Sequence, residues 1–352
     1  MTPVSIVIPA FNQLEYCRQC VTSILMNTTR PHRLILVDNG STDGVSQFFD
    51  EVPSATVIHL DSNRGFSGGV NAGIEAAEGH VLLLNSDTIV PRGWLERLEC
   101  ALLREPDIGI VGPMSNQVSG AQCIPGLEFA NMEEIDAYAD RLALERAGQW
   151  QSTERLVGFC MLIREEAVRT VGRFDESFGI GNFEDDDYCL RSRRAGYRLC
   201  MAEDSFVFHY GGRTFAGMGI LGDAWNHLMD RNQQRFFEKW AATASVSPPE
   251  SLQAAEVANR IALDCWKQGQ TAEAVRLFKQ AIEHAPEHAD GYSNLGAVLW
   301  ELGERERALE NIQRALRRDP RHEAARENYG AAAAALGKQD EAAAFLRSLD
   351  GD

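Results

Sequence analysis

The last third of the chain repeats itself with a period of 34 residues. At this shift Gly269, Gly303 and Gly337 fall on one another, and Pro286 falls on Pro320. Small residues at fixed positions let two helices cross closely, and each proline marks the end of a helix pair. The period therefore predicts an array of stacked helix pairs in this part of the chain.

The pattern resembles the tetratricopeptide repeat over about residues 255–349. Two repeats match well, and the third is degenerate and is expected to cap the array, since Ala331–Ala335 is plain helix former. The resemblance implies a concave face that binds a peptide or a partner protein. Three alternatives stand beside it: packing against the rest of the chain, self-association into a homodimer, and alanine-rich helices that match the period by accident.

A short segment before the repeats predicts a domain boundary. Ser245–Ser251 places two adjacent prolines among serines, and such a segment cannot continue a helix. We therefore expect a first domain over residues 1–244, a linker over 245–252 and a helical repeat domain over 253–352.

The first domain alternates predicted strands and helices with short links, which is typical of an α/β fold with a largely parallel sheet. Apolar and β-branched runs predict the strands, and a segment with helical periodicity follows the first of them. The predicted strands are Val4–Ile8, Leu34–Val37, Ala55–Leu60, Val81–Leu84 and Gly158–Ile163, and the first predicted helices are Leu14–Met26 and Asn71–Glu78.

Composition narrows the function classes. The net charge of −17 repels phosphate backbones and argues against nucleic-acid binding, so an anionic small ligand would need local basic residues or a metal ion. We find neither an apolar stretch long enough to span a membrane nor a secretory signal at the start, and we expect a cytoplasmic protein, free or peripheral to the inner face of the membrane. The spacing Cys17-x-x-Cys20 allows a redox or zinc half-site, but buried helix thiols are the better interpretation.

Acidic residues close two of the predicted strands. Asp38 and Asp87 both follow carboxyl ends, where ligands bind in such sheets, and they form a polar crevice if the two strands are neighbours. Between them, Asn63–Asn71 supplies an arginine and a glycine-rich turn that we expect to lead into a helix N-terminus, a place that attracts phosphate. By itself, this glycine run is more typical of a surface turn.

Four consecutive carboxylates, Glu184–Asp187, precede an apolar-periodic segment. One interpretation is a helix N-terminus, where the macrodipole favours negative charge. The other is a general base, because crowded carboxylates raise one another's pKa toward useful strength. Spacing alone does not decide between them.

Six motifs follow one another in order along about residues 3–240, and they are Val4–Asn12, Val37–Asp43, Asn63–Gly73, Leu83–Thr88, Gly158–Ile163 and Phe183–Arg191. Together they resemble an inverting family-2 glycosyltransferase of GT-A (Rossmann-like) fold, in its rhamnosyltransferase-like branch. Such enzymes move a sugar from a nucleotide-diphosphate donor to an acceptor hydroxyl, usually with Mg²⁺ or Mn²⁺.

For the reacting groups, the resemblance implies that Asp185 deprotonates the acceptor hydroxyl and that Glu184 orients this base or the acceptor. Asp87 is the last acid of an Asp-x-Asp motif and would coordinate the metal ion. His209 would contact the metal or the diphosphate, with a purely structural histidine as the alternative.

For the donor, the resemblance implies that Asp38 lies near the ribose or the base. Arg64 and the turn at Gly65 would approach the base or the diphosphate, and Arg213 would help to stabilise the leaving group. The remaining implied donor-binding residues are Pro9, Phe11, Asn39, Asn85 and Ser86.

Two positions depart from the family pattern. Asn39 stands where many relatives have a second acid, and Asn85 stands at the first acidic position of Asp-x-Asp. The first departure bears on nucleotide preference, and the second predicts weaker metal binding, although one carboxylate with diphosphate oxygens and waters suffices for Mg²⁺.

The leading hypothesis is a glycosyltransferase that uses a UDP- or dTDP-sugar, with the repeats positioning a glycan or protein acceptor. A catalytically inactive sugar-nucleotide-binding scaffold is the second hypothesis, and a repeat-based adaptor is the third.

Overall fold

The computed structural model describes residues 2–241 and 250–350. The chain divides into two compact units, the first of which ends at Phe236. The predicted linker at 245–252 lies largely outside the described residues, and its last three positions belong to a helix that begins at Glu250. The predicted domain bounds stay a prediction.

The first unit is built on an eight-stranded sheet in the order β3-β2-β1-β4-β8-β6-β9-β7, with a separate two-stranded ribbon of β5 and β10. Strands β3, β2, β1 and β4 are parallel to one another, and β6 is parallel to β9. Strand β8 is antiparallel to both β4 and β6, and β7 is antiparallel to β9. The strands are β1 Val4–Ala10, β2 His32–Asp38, β3 Thr56–His59, β4 His80–Leu84, β5 Thr88–Ile89, β6 Ile108–Met114, β7 Trp150–Thr153, β8 Cys160–Ile163, β9 Arg198–Phe206 and β10 Phe208–His209.

Helices cover both faces of this sheet, so the central strands β1, β4 and β8 are buried throughout nearly their whole length. The helices are α1 Leu14–Asn27, α2 Val45–Asp50, α3 Gly65–Glu75, α4 Trp94–Leu102, α5 Met132–Glu145, α6 Glu165–Val171, α7 Glu184–Arg194, α8 Arg213–Gly217 and α9 Asp223–Ala241.

Helix α3 starts six positions before the predicted start at Asn71, so the expected glycine-rich turn is a helix instead. The reason is close packing. A Cβ at Gly69 would lie 2.9 Å from Pro9 Cβ, and one at Gly73 would lie 2.2 Å from Val7. Glycine is unfavourable inside a helix in isolation, but here it lets the helix lie directly on β1.

Over the described residues 250–350, the second unit forms three consecutive helix pairs. Gly269, Gly303 and Gly337 join the two helices of each pair at φ +76°, +81° and +68°, a left-handed backbone that favours glycine. The 34-residue period in the sequence therefore corresponds to the glycine-containing turn inside each helix pair. The helices are α10 Glu250–Lys267, α11 Thr271–His284, α12 Ala289–Glu301, α13 Arg305–Arg318, α14 Glu323–Ala335 and α15 Gln339–Asp350.

The predicted fold class, an α/β domain followed by an all-α repeat domain, is confirmed. Among the described helices, none combines the length and the apolar character needed to cross a membrane.

Candidate functional site

A polar pair forms where β4 ends. Asp87 follows β4, and the ribbon pairs Thr88 with His209, which brings the two side chains together across 122 sequence positions. His209 Nε2 lies 3.2 Å from Asp87 Oδ1. The backbone N–H groups of Tyr210 and Arg213 donate to the carbonyl and the Oδ2 of Asp87, at 3.0 and 3.4 Å.

The hydrogen bonds of His209 define which of its nitrogens carries a proton. Nδ1 lies 2.9 Å from the carbonyl oxygen of Gln117, and a carbonyl can only accept, so Nδ1 is protonated. Nε2 then faces Asp87 Oδ1 at 3.2 Å, so one imidazole nitrogen and one carboxylate oxygen point at each other.

Asp87 is only 4% exposed. Its burial opposes ionisation, but the neighbouring His209, through its charge and its hydrogen bond, outweighs burial and holds the pKa of Asp87 below its ordinary value. The carboxylate is therefore ionised at neutral pH.

Two consecutive residues before β8 connect this pair to the acidic cluster. The Phe159 ring stacks on His209 with centroids 5.2 Å apart, and its carbonyl accepts from the backbone N–H of Asn85 at 2.8 Å. The backbone N–H of Gly158 donates to Asp185 Oδ2 at 2.8 Å. The structure thus brings Asp87, His209 and Asp185 to the same edge of the sheet.

The acid pair at the start of α7 is buried, with Glu184 6% and Asp185 7% exposed. Burial and then the charge of Asp185 raise the pKa of Glu184 well above its ordinary value, and its Oε2 has no hydrogen-bond partner among the described residues. Burial and the charge of Asp186 raise the pKa of Asp185, while the Arg155 guanidinium opposes them. A carboxyl tuned in this direction suits a proton acceptor near neutral pH.

Asp38 is not beside Asp87 in the strand order, because β1 lies between β2 and β4. The condition for a polar crevice shared by Asp38 and Asp87, that their strands are neighbours, is therefore not met. Asp38 accepts a hydrogen bond from the backbone N–H of Ser41 at 2.8 Å, and its other oxygen lies 3.3 Å from His59 Nδ1. The carboxylate is buried and held in one orientation at the end of β2.

Asn39 organises the loop that enters α3. Its amide donates to Asn63 and to the carbonyl of Gly65 at 3.1 and 2.9 Å, and its oxygen accepts from the backbone N–H of Arg64 at 2.9 Å. The Arg64 guanidinium pairs with Glu176 at 2.9 Å. These contacts give both predicted donor-binding residues a structural role in the described chain.

The other predicted donor residues lie around the same edge. Pro9 is in β1 beneath α3, and Phe11 follows that strand half-buried. Ser86 is buried beside Asp87, and the Arg213 guanidinium lies 5.6 Å from the centre of the Tyr16 ring.

Metal binding would rest on few protein ligands. Within residues 2–241 and 250–350, no group of three or more His, Cys, Asp or Glu side chains is arranged to hold a metal ion. Asp87 and His209 offer one carboxylate and one imidazole nitrogen, a donor set that fits a divalent cation completed by ligand oxygens and water. Cys17 and Cys20 are buried in α1, which raises the pKa of both thiols and supports the core interpretation.

Sequence reasoning missed the residues that orient the site. Gln117 fixes the proton on His209, Phe159 stacks on that ring, and Arg155 lies beside the acid cluster. The signal available in the sequence was the Gly158-Phe159 step, which stands immediately before an apolar strand.

Comparison with known proteins identifies both parts of the chain. Residues 5–172 match the model of glycosyl transferase family 2, and residues 266–314 and 294–352 match tetratricopeptide-repeat models. Glycosyltransferase GlyG of Streptococcus pneumoniae is 33% identical over 207 residues, which cover 54% of this chain and 66% of GlyG. The N-acetylglucosaminyl-diphospho-decaprenol L-rhamnosyltransferase of Mycobacterium tuberculosis is 27% identical over 219 residues, which cover 54% and 70% of the two chains.

Coverage of the relatives is partial. Protein y4gI of Sinorhizobium fredii is 28% identical over 226 residues, 59% of this chain but only 24% of that protein. Among solved structures, Staphylococcus aureus TarS residues 1–349 matches with a TM-score of 0.47 at 16% identity, covering 95% of this chain and 92% of TarS.

Proposed function

Because residues 5–172 form a glycosyl transferase family 2 domain and tetratricopeptide repeats follow it, we propose that the chain transfers a sugar from a nucleotide-diphosphate donor to an acceptor hydroxyl with inversion. The observation that carries this proposal is the convergence of two unlike polar groups at one sheet edge. The pair of Asp87 and His209 is joined to the acid pair through Gly158 and Phe159.

Asp185 is the proposed base. A hydroxyl is a weak nucleophile at neutral pH, so a base must accept its proton as the new bond forms. In the proposed step, the acceptor oxygen bonds to the anomeric carbon, Asp185 takes the hydroxyl proton, and the bond to the diphosphate breaks with its electron pair leaving on the diphosphate. One displacement at that carbon inverts its configuration. Glu184 keeps its own proton and orients the base or the acceptor.

Asp87 and His209 are the proposed holders of a divalent ion, Mg²⁺ or Mn²⁺. When bound, such an ion supplies positive charge to the departing diphosphate. The proposal is supported by the ionised Asp87 and by the His209 Nε2 that faces it, which together offer one oxygen and one nitrogen ligand. The Arg213 guanidinium would add positive charge on the same side, since the backbone N–H of Arg213 donates to Asp87 Oδ2.

Asp38, with Pro9, Phe11 and Asn39, is the proposed border of the nucleoside. The repeats are proposed to position the acceptor, a glycan or a protein. Support for the first statement is the fixed orientation of Asp38, and support for the second is the helix-pair array itself.

Incubation of the full chain with UDP-, dTDP- and GDP-sugars, with and without Mn²⁺, tests the proposal. We expect metal-stimulated release of one nucleoside diphosphate, strongly increased by a hydroxyl-bearing acceptor. A folded chain that releases none of them with any acceptor glycan would overturn the proposed function.

A further inference from the structure

A single buried amide holds the turn that precedes the acid pair. Asn232 of α9 is 0% exposed. Its Nδ2 donates to the backbone carbonyls of Phe178, Gly181 and Asn182 at 2.8, 2.7 and 3.1 Å. An amide nitrogen carries two hydrogens, so these three carbonyls share them, and the loop is drawn to one point on the helix.

The turn needs such support because its backbone is unfavourable. Asn182 and Phe183 have φ values of 75° and 73°, a left-handed conformation that side-chain-bearing residues adopt at a cost. Strained residues of this kind persist where the surroundings hold them, and they cluster at functional sites. The chain leaves this turn directly into Glu184 and Asp185.

A second contact comes from the same face of α9. The Phe183 ring lies 5.9 Å, centre to centre, from the ring of Phe236, which is one helical turn beyond Asn232. Helix α9 thus contacts the strained turn through both a polar and an apolar side chain.

We propose that Asn232 is a positioning residue for glycosyl transfer, whose amide fixes the Phe178–Asn182 loop so that the acid pair meets the acceptor hydroxyl in the reactive geometry. This inference rests on the proposed function. It assigns to α9 a role in the acceptor half of the site and none in donor binding.

Two backbone attachments other than Asn232 hold the loop at Gly179 and Ile180. The backbone N–H of Phe66 donates to the Ile180 carbonyl at 3.0 Å, and Gly65 approaches the Gly179 carbonyl so closely that a Cβ there would lie 1.9 Å from the oxygen. Loss of Asn232 would therefore release the carbonyls of Gly181 and Asn182, next to the acid pair, and leave Ile180 attached to α3.

The test compares Asn232→Ala with Asn27→Ala in the full chain. Asn27 is a matched control, since its buried amide donates to the Val90 carbonyl at 2.9 Å, away from the loop. We expect Asn232→Ala to lower kcat about a hundredfold, because a displacement of the order of 1 Å at reacting groups has effects of this size. Its affinity for the nucleoside diphosphate should stay within about twofold of the unsubstituted chain, and Asn27→Ala should keep kcat within about threefold.

Two further variants separate positioning from folding. Asn232→Ser keeps one donor and should lose less activity than Asn232→Ala. Adding Asn182→Gly to Asn232→Ala should recover roughly threefold in kcat, since glycine relieves the left-handed backbone. Equal kcat losses in Asn27→Ala and Asn232→Ala, parallel loss of diphosphate affinity, or no recovery with glycine would overturn the inference. Absence of transfer by the unsubstituted chain would instead contradict the proposed function.

Discussion

Two groups of buried carboxylates lie at the same edge of the sheet, and their surroundings shift their pKa values in opposite directions. Asp87 has His209 as a neighbour, and its pKa is held down. Glu184 and Asp185 have each other and Asp186 as neighbours, and their pKa values are raised. Similar burial thus gives an ionised group suited to cation binding and a proton acceptor suited to base catalysis, depending on the charge nearby.

The opposite pKa shifts of the two carboxylate groups suggest how an acidic protein can bind an anionic substrate. Its net charge of −17 gives no general attraction for a diphosphate. The positive charge must therefore be local, and we propose that it is a divalent ion held by the Asp87–His209 pair. The acid pair of Glu184 and Asp185 lies in an acidic cluster, and we propose that the neutral acceptor hydroxyl enters the site on that side.

The largest effect should come from Asp185→Asn. The amide cannot accept the hydroxyl proton, so we expect turnover to fall by about 10³-fold or more, in the upper range of general-base effects. Steady-state release of the nucleoside diphosphate measures it. Glu154→Gln is the control of equal charge change, because Glu154 pairs with Arg193 on the surface. Turnover within tenfold of normal in Asp185→Asn would remove it from the role of base.

Unlike Asp185→Asn, Asp87→Ala should lower turnover by weakening metal binding. Removing a carboxylate ligand should raise the Mn²⁺ concentration needed for half-maximal turnover by roughly 10–100-fold, in the range found for groups that support metal sites. Excess Mn²⁺ should restore part of the rate, which it cannot do for Asp185→Asn. Asp61→Asn removes one exposed carboxylate and serves as control. An unchanged metal requirement in Asp87→Ala would contradict the assignment.

The pH profile sharpens the comparison. Activity should fall as the pH drops through the raised pKa of Asp185, because the base becomes protonated. Asp186→Asn removes a charge that raises this pKa and leaves the opposing Arg155 in place, so the acidic limb of kcat/KM should move to lower pH. An acidic limb that stays in place, or moves to higher pH, would show that Asp185 does not set it.

The smallest effects concern stability, and their signs should be opposite. A carboxyl whose pKa is raised on folding contributes stability only at low pH and loses it as the pH rises, so Glu184→Gln should raise the Tm at pH 7 by about 2 °C. A carboxyl whose pKa is lowered contributes above its ordinary pKa, so Asp87→Asn should lower the Tm at pH 7 by a similar, roughly 2 °C, amount. Calorimetric scans at pH 7 test both signs. The Glu184→Gln difference should nearly vanish once the pH falls below the ordinary pKa of 4.5, whereas the Asp87→Asn difference should persist until the pH falls below the ordinary pKa of 3.8 and through the lowered one. Shifts of the same sign in both variants would mean that the two clusters do not differ as described.

The parts of the fold that local sequence dictates could be predicted. The apolar runs of β1 and β4 and the 34-residue glycine period each reflect structure formed by residues near one another in sequence. The start of α3 could not be predicted, because a glycine run by itself is typical of a turn. Its helical conformation depends on tertiary packing against Pro9 and Val7 of β1, which the local sequence does not show.

The candidate site also has a part that the sequence predicts and a part that it does not. Its acidic residues could be named from the sequence because they lie at strand ends and at the start of a helix. Their partners could not: His209 reaches Asp87 through a ribbon across 122 positions, and Asn232 reaches the acid loop across about fifty. Such pairings depend on strand order and helix docking, which no local pattern encodes.

The most direct test of the division between the two clusters is a calorimetric titration of the preferred nucleoside diphosphate, in Mn²⁺, into Asp185→Asn and Asp87→Ala side by side. The account predicts that Asp185→Asn binds the diphosphate as the unsubstituted chain does, and that Asp87→Ala loses most of the metal-dependent affinity. Equal affinities in the two variants, or loss in Asp185→Asn alone, would contradict it.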